Sequence, residues 1–196
     1  MKKIVVGITG ASGSIYAKRL IEVLAKSNTM INVVATDKGK QVFNFELGIT
    51  LERFIDDLKK NNNNIKLEDN NNMFSGIASG SNKYDAVIIL PCSMGTLADI
   101  RHGMSKNLLC RACDVALKED RKLIIVPREP PFSTLHLENM YKLSSYGAKI
   151  IPAMPGFYHN PKTIDDLVDF LVGKILDYLN IENKLFEKWE DTEYET

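Results

Sequence analysis

The residues able to do chemistry fall into a few short stretches. Thr9-Gly10-Ala11-Ser12-Gly13 places hydroxyls and glycines directly behind an apolar run, Lys3 to Ile8. Glycines let a backbone turn tightly and approach a ligand. A helix starting there aims free N–H groups and about half a positive charge at an anion. Pro91-Cys92-Ser93-Met94-Gly95-Thr96 repeats the theme, with Ser93 placed both to cap a helix and to offer donors to a phosphate or a polar ring edge. Thr36 ends the run Ile31 to Ala35, and Arg128-Glu129 ends Leu123 to Val126 between Pro127 and Pro130. Pro155-Gly156-Phe157-Tyr158 follows a last short run, Lys149 to Ile151. Hydroxyls, glycines, an arginine and an aromatic ring make up the composition of a site for a phosphate-bearing aromatic ligand.

Other chemistries fit less well. Gly7-x-x-Gly10-x-x-Gly13 is not the G-x-G-x-x-G of a nicotinamide-dinucleotide site. Tyr158-x-x-x-Lys162 has the spacing of a reductase pair, but Pro161 breaks the helix such a pair needs. Cys110-x-x-Cys113 falls inside a helical stretch rather than at a helix N-terminus, where a thiol pKa would be depressed, so structural thiols are expected. The three histidines are scattered, and no metal site is assigned. The plain alternative for Glu46, Arg111 and Lys118 is a surface ion pair worth about 0–1 kcal/mol, and Glu46 and Lys118, taken singly, read that way. Arg128-Glu129 resists that reading because it closes a buried strand.

The elements that must position these groups alternate along the chain. Short β-branched runs at Lys3–Ile8, Ile31–Ala35, Tyr84–Leu90, Leu123–Val126 and Lys149–Ile151 predict strands. Between them lie helical patterns: one with Ile15, Leu20, Val23 and Leu24 on a stripe, one around Val42, Phe43 and Phe45 ending near Gly48, and one from Leu51 to Leu58. Further helices are expected from Met94 to Ile100, Ser105 to Lys118 and Leu135 to Tyr146, with Gly147 as the residue after the last. Thr163 and Asp166 have the form of a capping box opening a helix with Leu167, Val168, Leu171, Ile175 and Leu179 on one face. Residues 61–72, with seven asparagines, read as a solvated surface loop without function. The pattern is that of a doubly wound, Rossmann-like α/β domain with a mostly parallel sheet, whose ligands bind outside the carboxyl ends of the strands. One domain over 1–196 is expected, with a tail from about residue 181.

Composition narrows the partners. Lys plus Arg and Asp plus Glu are 25 each, so no net positive field draws nucleic acid or an anionic membrane. No run of eighteen apolar residues occurs, and the opening residues are too short for a signal segment. Three cysteines, an odd number, suit reduced thiols in the cytoplasm.

Six stretches, in order, resemble the signature blocks of the UbiX-type flavin prenyltransferases: Gly7 to Gly13, Pro91 to Leu97, Arg111 to Glu119, Val126 to Glu129, His136 to Met140 and Pro155 to Tyr158. They span nearly the whole chain apart from about residues 51–72 and the extreme tail. The resemblance implies transfer of a dimethylallyl group from dimethylallyl phosphate to N5 and C6 of reduced FMN. The product, prenylated FMN, would be the cofactor of UbiD-type decarboxylases. Carried over by position, FMN contacts fall on Gly10, Ala11, Ser12, Thr36, Ser93, Met94, Gly95, Thr96 and Arg128. Prenyl-phosphate contacts fall on Tyr158 and Lys174, with Arg111, Lys118 and Arg128 beside them and Trp189 as an aromatic wall or tail anchor. Ser12, Glu46 and Glu129 would handle protons, and Lys118 would help ionise the allylic phosphate. Thr36, Lys174 and Lys188 stand where the family often has serine, arginine and arginine. The resemblance also implies a homo-oligomer, a dodecamer. A related decarboxylase would need a catalytic histidine in the first half, and the first 101 residues contain none. A flavin carrier without chemistry would leave Arg111, Lys118, Glu129 and Lys174 without a purpose.

Overall fold

A computed structural model describes residues 1–187. Contacts group them into two compact units, Met1–Ala153 and a second beginning at Met154. The first unit runs β1 (Lys2–Ile8), α1 (Ser14–Ala25), β2 (Thr29–Ala35), α2 (Asp37–Leu47), α3 (Leu51–Lys59), β3 (Ile65–Glu68), β4 (Ala86–Cys92), α4 (Met94–Arg101), α5 (Leu108–Lys118), β5 (Lys122–Pro127), α6 (Thr134–Ser145) and β6 (Lys149–Ile150). The second unit contains α7 (Ile164–Tyr178).

The six strands form one sheet in the order 3-2-1-4-5-6. Every pairing is parallel, with β1 in register from Lys2 opposite Thr29 to Ile8 opposite Ala35. The order reverses between β1 and β4, and the connections leaving those two strands depart to opposite faces. That opens a crevice at the carboxyl ends. Strands covered on both faces must be apolar throughout, and Ile4, Val5, Val6, Ile88, Ile89 and Ile124 are fully buried. Each such side chain contributes about 1.5–3 kcal/mol. Alternation sends Val5, Val34, Val87, Ile89, Leu123 and Ile125 into the layer packed with α4, α5 and α6.

Local details depart from the sequence reading for identifiable reasons. Ala17, Leu20, Ile21 and Leu24 form the buried stripe of α1, whereas Ile15 and Val23 are only half-buried. In α2 it is Gly39 and Phe43 that are buried, and Phe45 is 90% exposed. The helix expected from Ser105 begins at Leu108, because the Asn107 side chain accepts from the Cys110 N–H and fixes the start there. The 61–72 stretch is not a plain loop. Ile65–Glu68 pairs with β2 as the edge strand β3, and the buried Glu68 carboxylate accepts from Asn32 Nδ2 at 2.7 Å and Ser75 Oγ at 3.0 Å. In α7 the Thr163–Asp166 capping box forms as expected, and the buried face adds Val172 and Leu176 while Leu167 is half-buried.

Candidate active site

The crevice is held open by one buried threonine. Thr9, with no exposed surface, ends β1, donates its hydroxyl to the Pro91 carbonyl at 2.8 Å and accepts from the Ser93 N–H at 2.7 Å. Its own N–H also reaches the Pro91 carbonyl, at 3.3 Å. This ties the first turn after β1 to the first turn after β4. Ser93 then caps α4, accepting from the Thr96 N–H at 3.4 Å and pairing with the Thr96 hydroxyl at 3.1 Å. Thr36 caps α2 by accepting from Gly39 N–H at 3.0 Å. Two helix N-termini, with their uncompensated N–H groups and positive ends, therefore open on the same rim.

A cavity of about 560 Å³ lies on this rim, lined by Gly10, Thr36, Ser93, Gly95 and Thr96, and also by Asp37, Lys38, Asn70, Asn71, Asp99, Lys106 and Asn107. The volume is that of a site for a cofactor-sized molecule. Nothing lies within 4 Å of the position a Gly95 side chain would take, which leaves the α4 amides open to a ligand. Met94 turns its side chain into the core, so only its backbone is available on the rim. Ala11 is buried and Ser12 exposed.

Glu46 comes from the last turn of α2 to the start of α1. Its carboxylate accepts from the Gly13 N–H at 3.0 Å, the Ser14 N–H at 2.8 Å and the Ser12 hydroxyl. Partial burial works to raise its pKa, but the Ser12, Ser14 and Gly13 donors together hold it below the ordinary glutamate value. The reading of Glu46 as a surface ion-pair residue is replaced by this one: it stays exposed, but its carboxylate is taken up by the amides at the α1 N-terminus and by Ser12 rather than by a cation. Gly13, at φ 113°, adopts the left-handed turn that lets its amide point at that carboxylate.

The remaining first-unit residues divide by position. Arg128 and Glu129 follow β5, exposed, with the Arg128 N–H donating to the Cys92 carbonyl at the carboxyl edge of the sheet. Arg111 lies one turn into α5 and is engaged away from the cavity lining, and Lys118 lies at the far end of the helix. Arg111 donates to the Ala78 carbonyl at 3.1 Å and pairs with Asp114 at 2.6 Å. Lys118 sits in the last turn of α5 beside Glu119, just before β5 begins at Lys122. That is the amino edge of the sheet, because a crossover helix returns the chain from the carboxyl edge to the start of the next strand. The three cysteines are buried and free, and burial pushes the Cys110 thiol up to about 11, with Cys92 and Cys113 also raised.

In the second unit, Tyr158 packs edge-on against Phe170 at 5.5 Å, and the Lys174 ammonium lies 5.5 Å from the same ring. Trp189 lies outside the described residues. Several rim residues carry no mark in the sequence alone. Thr9 acts across 82 positions, and Asn70 caps α5 from outside, accepting from the Leu108 N–H through its carbonyl and from the Leu109 N–H through its side chain. The Asp99–Lys106 pair, at 2.6 Å, closes the outer wall. Asn107 alone had a readable signal, a cap residue directly before an apolar run.

The strand order, the paired loops and the donor-lined cavity define a doubly wound α/β protein built to hold a phosphate-bearing ligand at its switch point. The sequence model of the flavoprotein family matches residues 1–176. The chain is 50% identical over 187 residues to the flavin prenyltransferase UbiX of Methanocaldococcus jannaschii, covering 95% of this chain and 98% of that one. A dodecameric FMN-dependent UbiX-like decarboxylase from Escherichia coli O157:H7 superposes with a TM-score of 0.89 at 38% identity, over 96% of this chain and 99% of that one. AnUbiX (PadA1), solved in complex with FMN and dimethylallyl pyrophosphate, superposes with a TM-score of 0.91 at 33% identity, over 98% of this chain and 99% of that one. The chain therefore belongs to the flavoprotein family and, within it, to the UbiX flavin prenyltransferases.

Proposed function

We propose that this chain transfers a dimethylallyl group from dimethylallyl phosphate to N5 and C6 of reduced FMN, releasing phosphate and prenylated FMN. The observation that carries the reading is the cavity at the switch point. Gly10, Thr36, Ser93, Gly95 and Thr96 converge there, and two helix N-termini and an open glycine suit a flavin nucleotide with its phosphate. Arg128 closes the carboxyl edge beside it. Reduced FMN supplies the nucleophilic ring atoms when bound. The chain's own residues do the rest: Glu46 and Ser12 form a hydrogen-bonded pair able to relay a proton at the rim, and Glu129 stands at the end of β5 for the same task. Tyr158, Lys174, Arg128 and Lys118 stabilise the negative charge of the departing phosphate.

Lys118 serves this site only if another copy presents it, since α5 carries Lys118 to the opposite edge of its own sheet. That supports a homo-oligomer, with a dodecamer as the proposed form, and a site completed across copies. The same reading has one flavoprotein domain over 1–196, a tail from about 181, a cytoplasmic location and delivery of the product to a UbiD-type decarboxylase. Among the described residues no helix is long and apolar enough to cross a membrane.

The test is anaerobic incubation of the purified protein with reduced FMN and dimethylallyl monophosphate, then with the diphosphate, followed by mass spectrometry of the released flavin. A gain of one five-carbon unit is expected. Unmodified FMN from a protein that binds the flavin would instead make it a carrier.

A further inference from the structure

The second unit contains an arrangement that helix packing does not require. After α7 the chain folds back: Asn183 Nδ2 donates to Asp177 Oδ1 at 3.0 Å and to the Ile181 carbonyl at 3.3 Å, while the Leu185 N–H donates to Asn183 Oδ1 at 3.4 Å. This turn lays the Phe186 ring on Gly173, so close that a Cβ there would lie 2.5 Å from it. Glycine is a poor helix former, and its place inside α7 is explained by the ring it admits. Phe186 and Phe170 stand 5.2 Å apart at 70°. The Lys174 ammonium lies 5.1 Å from the centre of one ring and 5.5 Å from the other. Behind Phe170, His159 stacks at 4.9 Å and 7°, and neither of its ring nitrogens has a hydrogen-bond partner among the described residues. The imidazole serves there as a flat plate rather than as a donor. Gly156 grants a second close approach, since a Cβ on it would meet Phe170 at 2.9 Å.

We propose that Phe170 and Phe186 are positioning residues that together hold the Lys174 ammonium against a pair of adjoining rings, while Phe170 seats Tyr158, preparing both for the phosphate of the dimethylallyl substrate. The inference rests on the reading above that Tyr158 and Lys174 contact that phosphate. Simple core packing would account for rings against Gly173, but not for an exposed ammonium resting on two of them at once. A lysine is a point charge on a flexible stem, and ordering it on binding costs rotamer freedom. Two ring quadrupoles attract the cation before the ligand arrives and leave its donors pointing outward, so part of that ordering is done in advance.

The experiment uses the full chain and steady-state kinetics with dimethylallyl phosphate, with FMN affinity measured in parallel. Phe186→Leu and Gly173→Ala should each raise KM for the prenyl phosphate about three- to tenfold, well beyond any fall in kcat, and leave FMN affinity within about twofold. Combining them should add nothing, because both displace the same ring. Phe186→Tyr, which keeps a ring face, should restore a KM near that of the wild type. A Phe186→Leu variant with unchanged KM, beside a Lys174→Met variant whose KM rises, would overturn the positioning role and leave the phosphate contact standing. An unchanged KM in Lys174→Met would instead remove the contact itself. Equal losses in KM, kcat and FMN affinity, not rescued by tyrosine, would make Phe186 structural only.

Discussion

Glu46 is where local chemistry and stability meet. Its carboxylate is held below the ordinary value of 4.5 by donors at the start of α1. A lowered folded-state pKa means that the stabilisation is complete above the unfolded value and is lost as the pH falls through the folded one. In urea titrations, the advantage of the wild type over Glu46→Gln should therefore be full near neutrality and fade on acidification below about pH 4.5. The same variant should bind FMN yet lose at least about a hundredfold in turnover, the scale of a proton-transfer group. A Glu46→Gln protein with full turnover would return Glu46 to a purely structural role. Thr9 makes a second prediction. Thr9→Val keeps the shape but leaves the partly buried Ser93 amide without its acceptor, and the thermal midpoint should fall by an amount equivalent to about 1–3 kcal/mol. Glycines and hydroxyls behind apolar runs were readable one by one. The Thr9 contact was not, because it exists only once β1 and β4 are neighbours.

At the scale of the element, the strands and helices of the first unit followed from periodicity, and the exceptions have two kinds of cause. β3 is four residues, Ile-Lys-Leu-Glu, set among asparagines. Its membership of the sheet depends on pairing with β2 and on a buried Glu68 that bonds outside its own strand, neither of which is written locally. The late start of α5 is partly local, since the adjacent cap residue Asn107 marks it while Asn70 supports it from outside. Gly39 shows an element fixed by contact rather than propensity. A Cβ there would lie 2.5 Å from the Ile8 carbonyl oxygen, backbone against backbone. Alanine is the better helix former by about 1 kcal/mol, so propensity alone predicts a more stable α2. The contact reverses the sign: Gly39→Ala should destabilise the protein by about 1–3 kcal/mol in equilibrium unfolding and weaken FMN binding through Thr36. An increase in stability would show that α2 can slide away from β1 at no cost.

For the molecule as a whole, the separation of Glu46 on one edge of the sheet from Lys118 on the other has a direct test. Co-assembled subunits carrying Glu46→Gln and Lys118→Met should regain activity that neither homogeneous protein has, because some sites would pair an intact glutamate with an intact lysine. No recovery, with mixed assembly confirmed by native mass spectrometry, would place both groups in one subunit's site. Assembly of this kind must stop at a finite size, and the sheet bears on that. Its outer strands are β3, four residues long and bearing Lys66, and β6, only two residues long and bearing Lys149. If the chain assembles as proposed, edges that offer so little open backbone guard it against strand-to-strand polymerisation. Lengthening β6 by replacing the Pro152 that follows it would weaken that guard, and fibrous aggregates would then compete with the closed assembly.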